Sequence, residues 1–215
     1  RYCSVTSRTI ASAPSVADRP LTTADDAGTE DGRAARLMLV AVMTLSMGLP
    51  AFPTVTLSAL SPRVIADLGI TRAAYGAVPS VMFLMAILYS VYAGRLVDRL
   101  GPRAVLVGLH LLAGVAVALF AGATTLAALL AGGAVIGLAQ AASNPATNSV
   151  IARRVRPQAM GTVIGIKQAG VPLIQFSVGA MLAPFGALYG WRAALLTGFL
   201  LIVPGLLAVI RWMPG

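Results

Sequence analysis

This sequence predicts an all-α protein that crosses a membrane several times, and three observations predict it. Hydrophobic residues make up 58% of the 215-residue chain and charged ones only 11%, where soluble domains carry about 45–50% and about 25%. The apolar residues gather into six runs, each long enough for a spanning helix, which takes roughly 20 residues, or about 17–25 with tilt. The arginines sit at the ends of those runs. A soluble fold could not hide that much apolar surface. The bilayer must act as solvent for it, and there helices satisfy their own backbone groups.

The chain divides in two. Residues 1–36 are polar, rich in Ser, Thr, Ala, Asp and Pro and without an apolar period, and read as a disordered tail. The tail has neither an initiator Met nor the apolar core of a signal peptide. It suits a fragment, a processed form or a reading frame set too far upstream. The single cysteine, Cys3, lies in it, so the chain has no disulfide framework. Residues 37–213 form the membrane domain, with spans expected over 37–60, 75–93, 104–121, 126–151, 160–188 and 193–211. Pro50 and Pro53 interrupt the first, Pro145 the fourth, and Pro172 and Pro184 the fifth. Each removes a backbone donor and predicts a kink, either routine or a point of flexing.

Orientation follows from charge. With the tail cytoplasmic, the inner side holds nine arginines at or near the ends of the spans, at 33, 36, 95, 99, 103, 153, 154, 156 and 211. The outer side holds three, Arg63, Arg72 and Arg192. That is a positive-inside bias. It accounts for the net charge of +9 as topology, not nucleic-acid binding. Arg153, Arg154 and Arg156 read as an inside marker touching lipid phosphates. Trp191 and Trp212 bracket the sixth span as expected of interfacial anchors.

Polar residues inside the spans are the candidate site. Lys167 is the only lysine and lies within the fifth span, roughly 10 Å from the inner edge at about 1.5 Å per residue. It either snorkels to the headgroups or faces a cavity. On the fourth span Gln140, Asn144 and Asn148 recur at i, i+4 and i+8 and form one stripe, with Ser143 and Thr147 beside it. Gly133, Gly137 and Ala141 form a small-residue face, and Gly161, Gly165 and Ala169 another on the fifth span. The expectation is that these two spans pack closely and present Asn144, Asn148, Lys167 and Gln168 near an inner cavity. Interhelical polar contacts without a substrate are the alternative. His110, alone among apolar residues, reads as packed or hydrogen-bonded. The sequence carries no HExxH, phosphate-binding glycine loop or Cys/His cluster, and few acids for catalysis. No enzyme, metal or cofactor is expected.

Residues 94–103 read GRLVDRLGPR. They resemble the signature loop of the major facilitator superfamily of secondary transporters, roughly G-x-L-x-D-R-x-G-R-R. Gly94, Leu96, Asp98, Arg99, Gly101 and Arg103 fit that pattern, and Pro102 stands where a basic residue is usual. Flanked by Arg95, Arg99 and Arg103, Asp98 is expected to stay ionised and hold the turn through charge-assisted hydrogen bonds. Its other reading is a solvated anchor. IKQAGVPLIQ at 166–175, NPATN at 144–148 and GWR at 190–192 resemble the family's fifth, fourth and sixth helices.

The resemblance implies twelve spans in two six-helix halves, each of 3+3 inverted repeats, with substrate at the midplane. This chain corresponds to the amino-terminal half. The implied function is transport of a small polar solute by alternating access, and Lys167 suggests an anion. Asp98 would help lock the two halves in one conformation. The implied partners are the bilayer, the solute, a coupling ion and a second six-helix half, missing or supplied by dimerisation. The implied location is a cell membrane, a bacterial inner membrane with the amino terminus cytoplasmic. Two positions depart: Gly133 replaces an arginine implicated in proton coupling, and Val171 separates Gly170 from Pro172, where antiporters join Gly to Pro. The alternative is a non-transporting six-span module acting through a partner.

Overall fold

The computed structural model of the protein describes residues 30–213, and among them every regular element is helical. The first span is a bent pair, α1 (Glu30–Gly48) and α2 (Ala51–Ala59), set at 49° to each other. Pro50, at the N-cap of α2, has no N–H to continue the ladder of α1, so the axis breaks where the sequence placed a kink. A short surface helix, α3 (Ser61–Leu68), leads into the long α4 (Arg72–Leu100), α5 (Pro102–Ala121) and α6 (Leu126–Arg154). The fifth span, Pro157–Tyr189, is built in pieces. They are α7 (Pro157–Gln168), α8 (Gly170–Ser177), a π-helical turn (Val178–Leu182) and α9 (Ala183–Tyr189). The sixth joins α10 (Trp191–Leu196) to α11 (Phe199–Trp212). Among the described residues five helices are long and apolar enough to span a membrane, and there are six if the bent pair is one span.

Both breaks in the fifth span have the same cause. Pro172 cannot donate to the carbonyl of Gln168, and α7 ends at that residue. Pro184 cannot donate to Ala180, which lies in the wider π-helical turn. Pro145 leaves α6 continuous.

Helices run past the apolar limits drawn from sequence. α1 starts at Glu30, ahead of the expected boundary at 36/37. Residues 1–29, the rest of the expected tail, lie outside the described residues. The signature segment is corrected more deeply. α4 continues to Leu100, and the turn narrows to Gly101 with φ +81°, followed by Pro102 at the start of α5. That φ costs glycine little and other residues much. Asp98 therefore sits exposed on the last turn of a helix. Among the described residues the one ion pair joins Arg192 to Asp67, so Asp98 does not hold the turn. Arg103 does part of that work instead, donating Nη2 to the Ile210 carbonyl at 2.9 Å and capping α11.

The core has two levels. At one end Leu57, Val64, Val117, Phe120, Leu129 and Leu195 pack together. At the arginine-rich end Met43, Val97, Leu106, Ala146, Ile151 and Val209 do so. Between these levels along their helices lie Ser46, His110 and Gly205. His110 Nδ1 is 2.8 Å from the Leu106 carbonyl, so the ring is packed and hydrogen-bonded at that nitrogen, as expected from sequence. Its Nε2 and the Ser46 hydroxyl are buried without a partner among the described residues.

At the opposite end α3 is pinned down. Arg63 donates to the carbonyls of Gly186 at 3.2 Å and Ala187 at 2.7 Å. Asp67 accepts from Arg192 and, at 3.1 Å, from the Trp191 indole N–H. Trp191 is 4% exposed, so it is a packed hydrogen-bond donor and not the lipid-facing anchor expected. Trp212, 54% exposed, keeps that role. The Arg192 guanidinium beside Asp67, then the indole, holds its carboxyl below the usual carboxylate range. A depressed folded value stabilises above the unfolded pKa, and that contribution is lost as pH falls through the depressed value. We therefore expect thermal stability in detergent to drop on acidification in this window, and Asp67→Asn to remove part of that drop. The change should be small, because the pair is solvent-exposed.

Candidate solute site

The break after Gln168 places Lys167 on the last turn of α7, where the carbonyl end of the helix dipole favours a cation. α7 packs against α1 and α6, and Lys167 is only 1% exposed. It does not snorkel. Its ammonium turns to α6 and donates to Asn148 Oδ1 at 2.7 Å, Asn144 Oδ1 at 3.2 Å and Thr147 Oγ1 at 3.2 Å. An ammonium has three donors and no acceptor, so its capacity matches these three oxygens. Thr147 meets the demand by passing its own proton to the Ser143 carbonyl at 2.6 Å.

This geometry has an electrostatic consequence. All three acceptors are neutral, and among the described residues Lys167 has no carboxylate partner. A buried charge with hydrogen bonds but no counter-ion keeps an outward positive potential. The asparagine orientations follow. Because Oδ1 of each must face the lysine, each Nδ2 points elsewhere, and Asn144 and Asn148 are both exposed. The exposed face of α6 thus carries two amides whose oxygens are held by a cation behind them.

Of the residues singled out from sequence, Lys167, Asn144 and Asn148 come together. Gln140 lies further along α6 and Gln168 is exposed beside the lysine, but neither bonds to it. Thr147, beside the stripe in the sequence, joins the site in the structure. Its signal was its position three residues after Asn144, on nearly the same face.

The small-residue faces behave differently from expectation. A Cβ on Gly133 would fall 2.9 Å from the Val78 carbonyl oxygen, and one on Gly137 would collide with the Met82 carbonyl. That face therefore receives α4, not the fifth span. It also explains why no arginine stands at 133: α4 backbone fills the space. Gly161 and Gly165 meet nothing within 4 Å. The close approach of the fifth span is made elsewhere, where a Cβ on Gly170 would strike the Thr44 carbonyl and one on Gly48 the Gly170 carbonyl. Among the described residues no three His, Cys, Asp or Glu side chains converge as a metal site would need.

Residues 37–215 match the Major Facilitator Superfamily. The chain belongs to that superfamily. Its all-helical, multi-pass architecture is that of a major facilitator half. A relative from Arabidopsis thaliana described as "Probable anion transporter 4, chloroplastic" is 30% identical over 161 residues. The match takes in 72% of this superfamily member and 30% of the relative. The chain therefore spans about 30% of the length of that curated relative.

Proposed function

We propose that this chain carries the amino-terminal six-span half of a secondary transporter for small anions, working by alternating access against a second half. That second half is encoded with it or supplied by another copy. The observation that carries the anion is Lys167, a buried ammonium with three neutral oxygen partners and no acid. The relative's description as an anion transporter supports the same chemistry.

The anion meets the outward amides of Asn144 and Asn148, with Lys167 supplying charge from behind. Gln140 and Gln168 flank that path. Asp98, exposed on the last turn of α4, faces the other half and helps lock one conformation. The arginine-rich end lies on the cytoplasmic side of a bacterial inner membrane, as the positive-inside bias directs.

The test is uptake of a panel of inorganic and carboxylate anions by the full-length transporter in vesicles. Lys167→Gln should reduce uptake about tenfold or more, the scale of a lost charge-assisted hydrogen bond. Unchanged anion uptake would sink the anion reading. Absence of flux for every solute, with a folded wild-type protein, would favour the non-transporting module.

A further inference from the structure

A second group of cations lies apart from Lys167, at the arginine-rich end. There α1 packs on the end of α6 and the start of α7. The three enclose a cavity of about 110 Å³ lined by Arg36, Arg154 and Arg156, with Leu39, Val40 and Val163 among its apolar walls. Such a volume holds several waters at about 30 Å³ each, enough for a small tetrahedral anion. Arg36 and Arg154 enter no hydrogen bond or ion pair among the described residues.

The backbone adds to the same field. The cavity adjoins the first turn of α7, which has Arg156 at its N-cap, Pro157 next, no side-chain cap and no acidic residue. A helix of 12 residues presents the positive end of its dipole there. Guanidinium forks match the paired oxygens of a phosphate better than lysines would.

We propose that this cavity binds a phosphate group, and that its source is the headgroup of an anionic phospholipid. The apolar walls decide for a lipid. Leu39, Val40 and Val163 are all partly buried and continue the spans α1 and α7 toward the bilayer, so the first methylenes of a diacyl lipid can lie along them. The site is independent of the solute reading, because it needs only that these helices span a membrane.

The experiment uses the whole chain in mild detergent, with retained lipid counted by native mass spectrometry and thermal stability measured alongside. Phosphatidylglycerol should be retained and should stabilise, and phosphatidylcholine should do neither. Arg36→Gln and Arg154→Gln should each weaken phosphatidylglycerol binding about fivefold, the weight of one basic residue near an anionic surface. Arg153→Gln removes the same charge one residue outside the cavity and should weaken binding clearly less, through the general surface attraction alone. If Arg154→Gln fails to fold, Arg36→Gln on the exposed start of α1 still decides. Inorganic phosphate that stabilises equally and displaces the lipid would keep the phosphate site and overturn its lipid source. Equal retention of both lipids, or an equal loss in Arg153→Gln, overturns the site itself.

Discussion

Gly137→Ala and Gly170→Ala should each destabilise the bundle, whereas Gly165→Ala should stabilise it. In an open helical position, alanine in place of glycine gains about 1 kcal/mol of helix propensity. Gly165 is such a position in this chain, with nothing within 4 Å of an added Cβ. At Gly137 the same methyl runs into the Met82 carbonyl, and at Gly170 into the Thr44 carbonyl. Neither obstacle is a side chain that could swing away. Parting two helices to admit one methyl costs about 1–3 kcal/mol or more in packed interiors, which outweighs the propensity gain. Thermal unfolding of the three variants in detergent, with size-exclusion yield as a second measure, checks the opposite signs. Three equal shifts would show that α4–α6 and α1–α8 are not packed backbone to backbone.

Asn148→Asp should sharply reduce anion uptake while leaving the fold as stable as before or more so. The substitution keeps an oxygen 2.7 Å from the Lys167 ammonium and makes it a carboxylate. The lysine then gains the counter-ion it lacks, and an ion pair with good geometry replaces a charge held by neutral dipoles. The surface loses one outward amide donor and most of its positive potential. Uptake should fall about tenfold or more. Lys167→Gln should lose transport as well, but it replaces the three-donor ammonium by a shorter, neutral amide with two donors and should not stabilise. The pair of variants thus separates anion recognition from folding. Wild-type uptake by Asn148→Asp would show that the amides do not meet the solute.

Hydropathy alone pointed to six apolar stretches, on which five long helices and one bent pair fall, because burial in lipid leaves few other arrangements for so much apolar surface. It did not locate their ends. α4 stops at Leu100 because Gly101 turns the chain, not because the apolar run ends at residue 93. Equal depth on neighbouring spans made the meeting of Lys167 with Asn144 and Asn148 legible. Thr147 escaped the site because a helical threonine ordinarily bonds its own backbone, and here it does so while also accepting from the lysine. The stripe at Gly133 and Gly137 announced close approach but carried no information about which helix would approach. Trp191 has the sequence position of an interfacial ring, but a partner distant in sequence, Asp67, accepts its indole N–H and fixes it in the packed interior.

The two interruptions of the first and fifth spans touch. Gly48 ends α1, Gly170 begins α8, and backbone rests on backbone between them, with α1 against α7 on one side and α2 against α8 on the other. Such a joint is a natural fulcrum: its closest obstacles are backbone carbonyls that cannot swing aside, so a tilt of α8 would press on α1 directly, one turn from the end of α7 that carries Lys167. Any rocking of the fifth span would therefore have to pivot beside the seat of the ammonium.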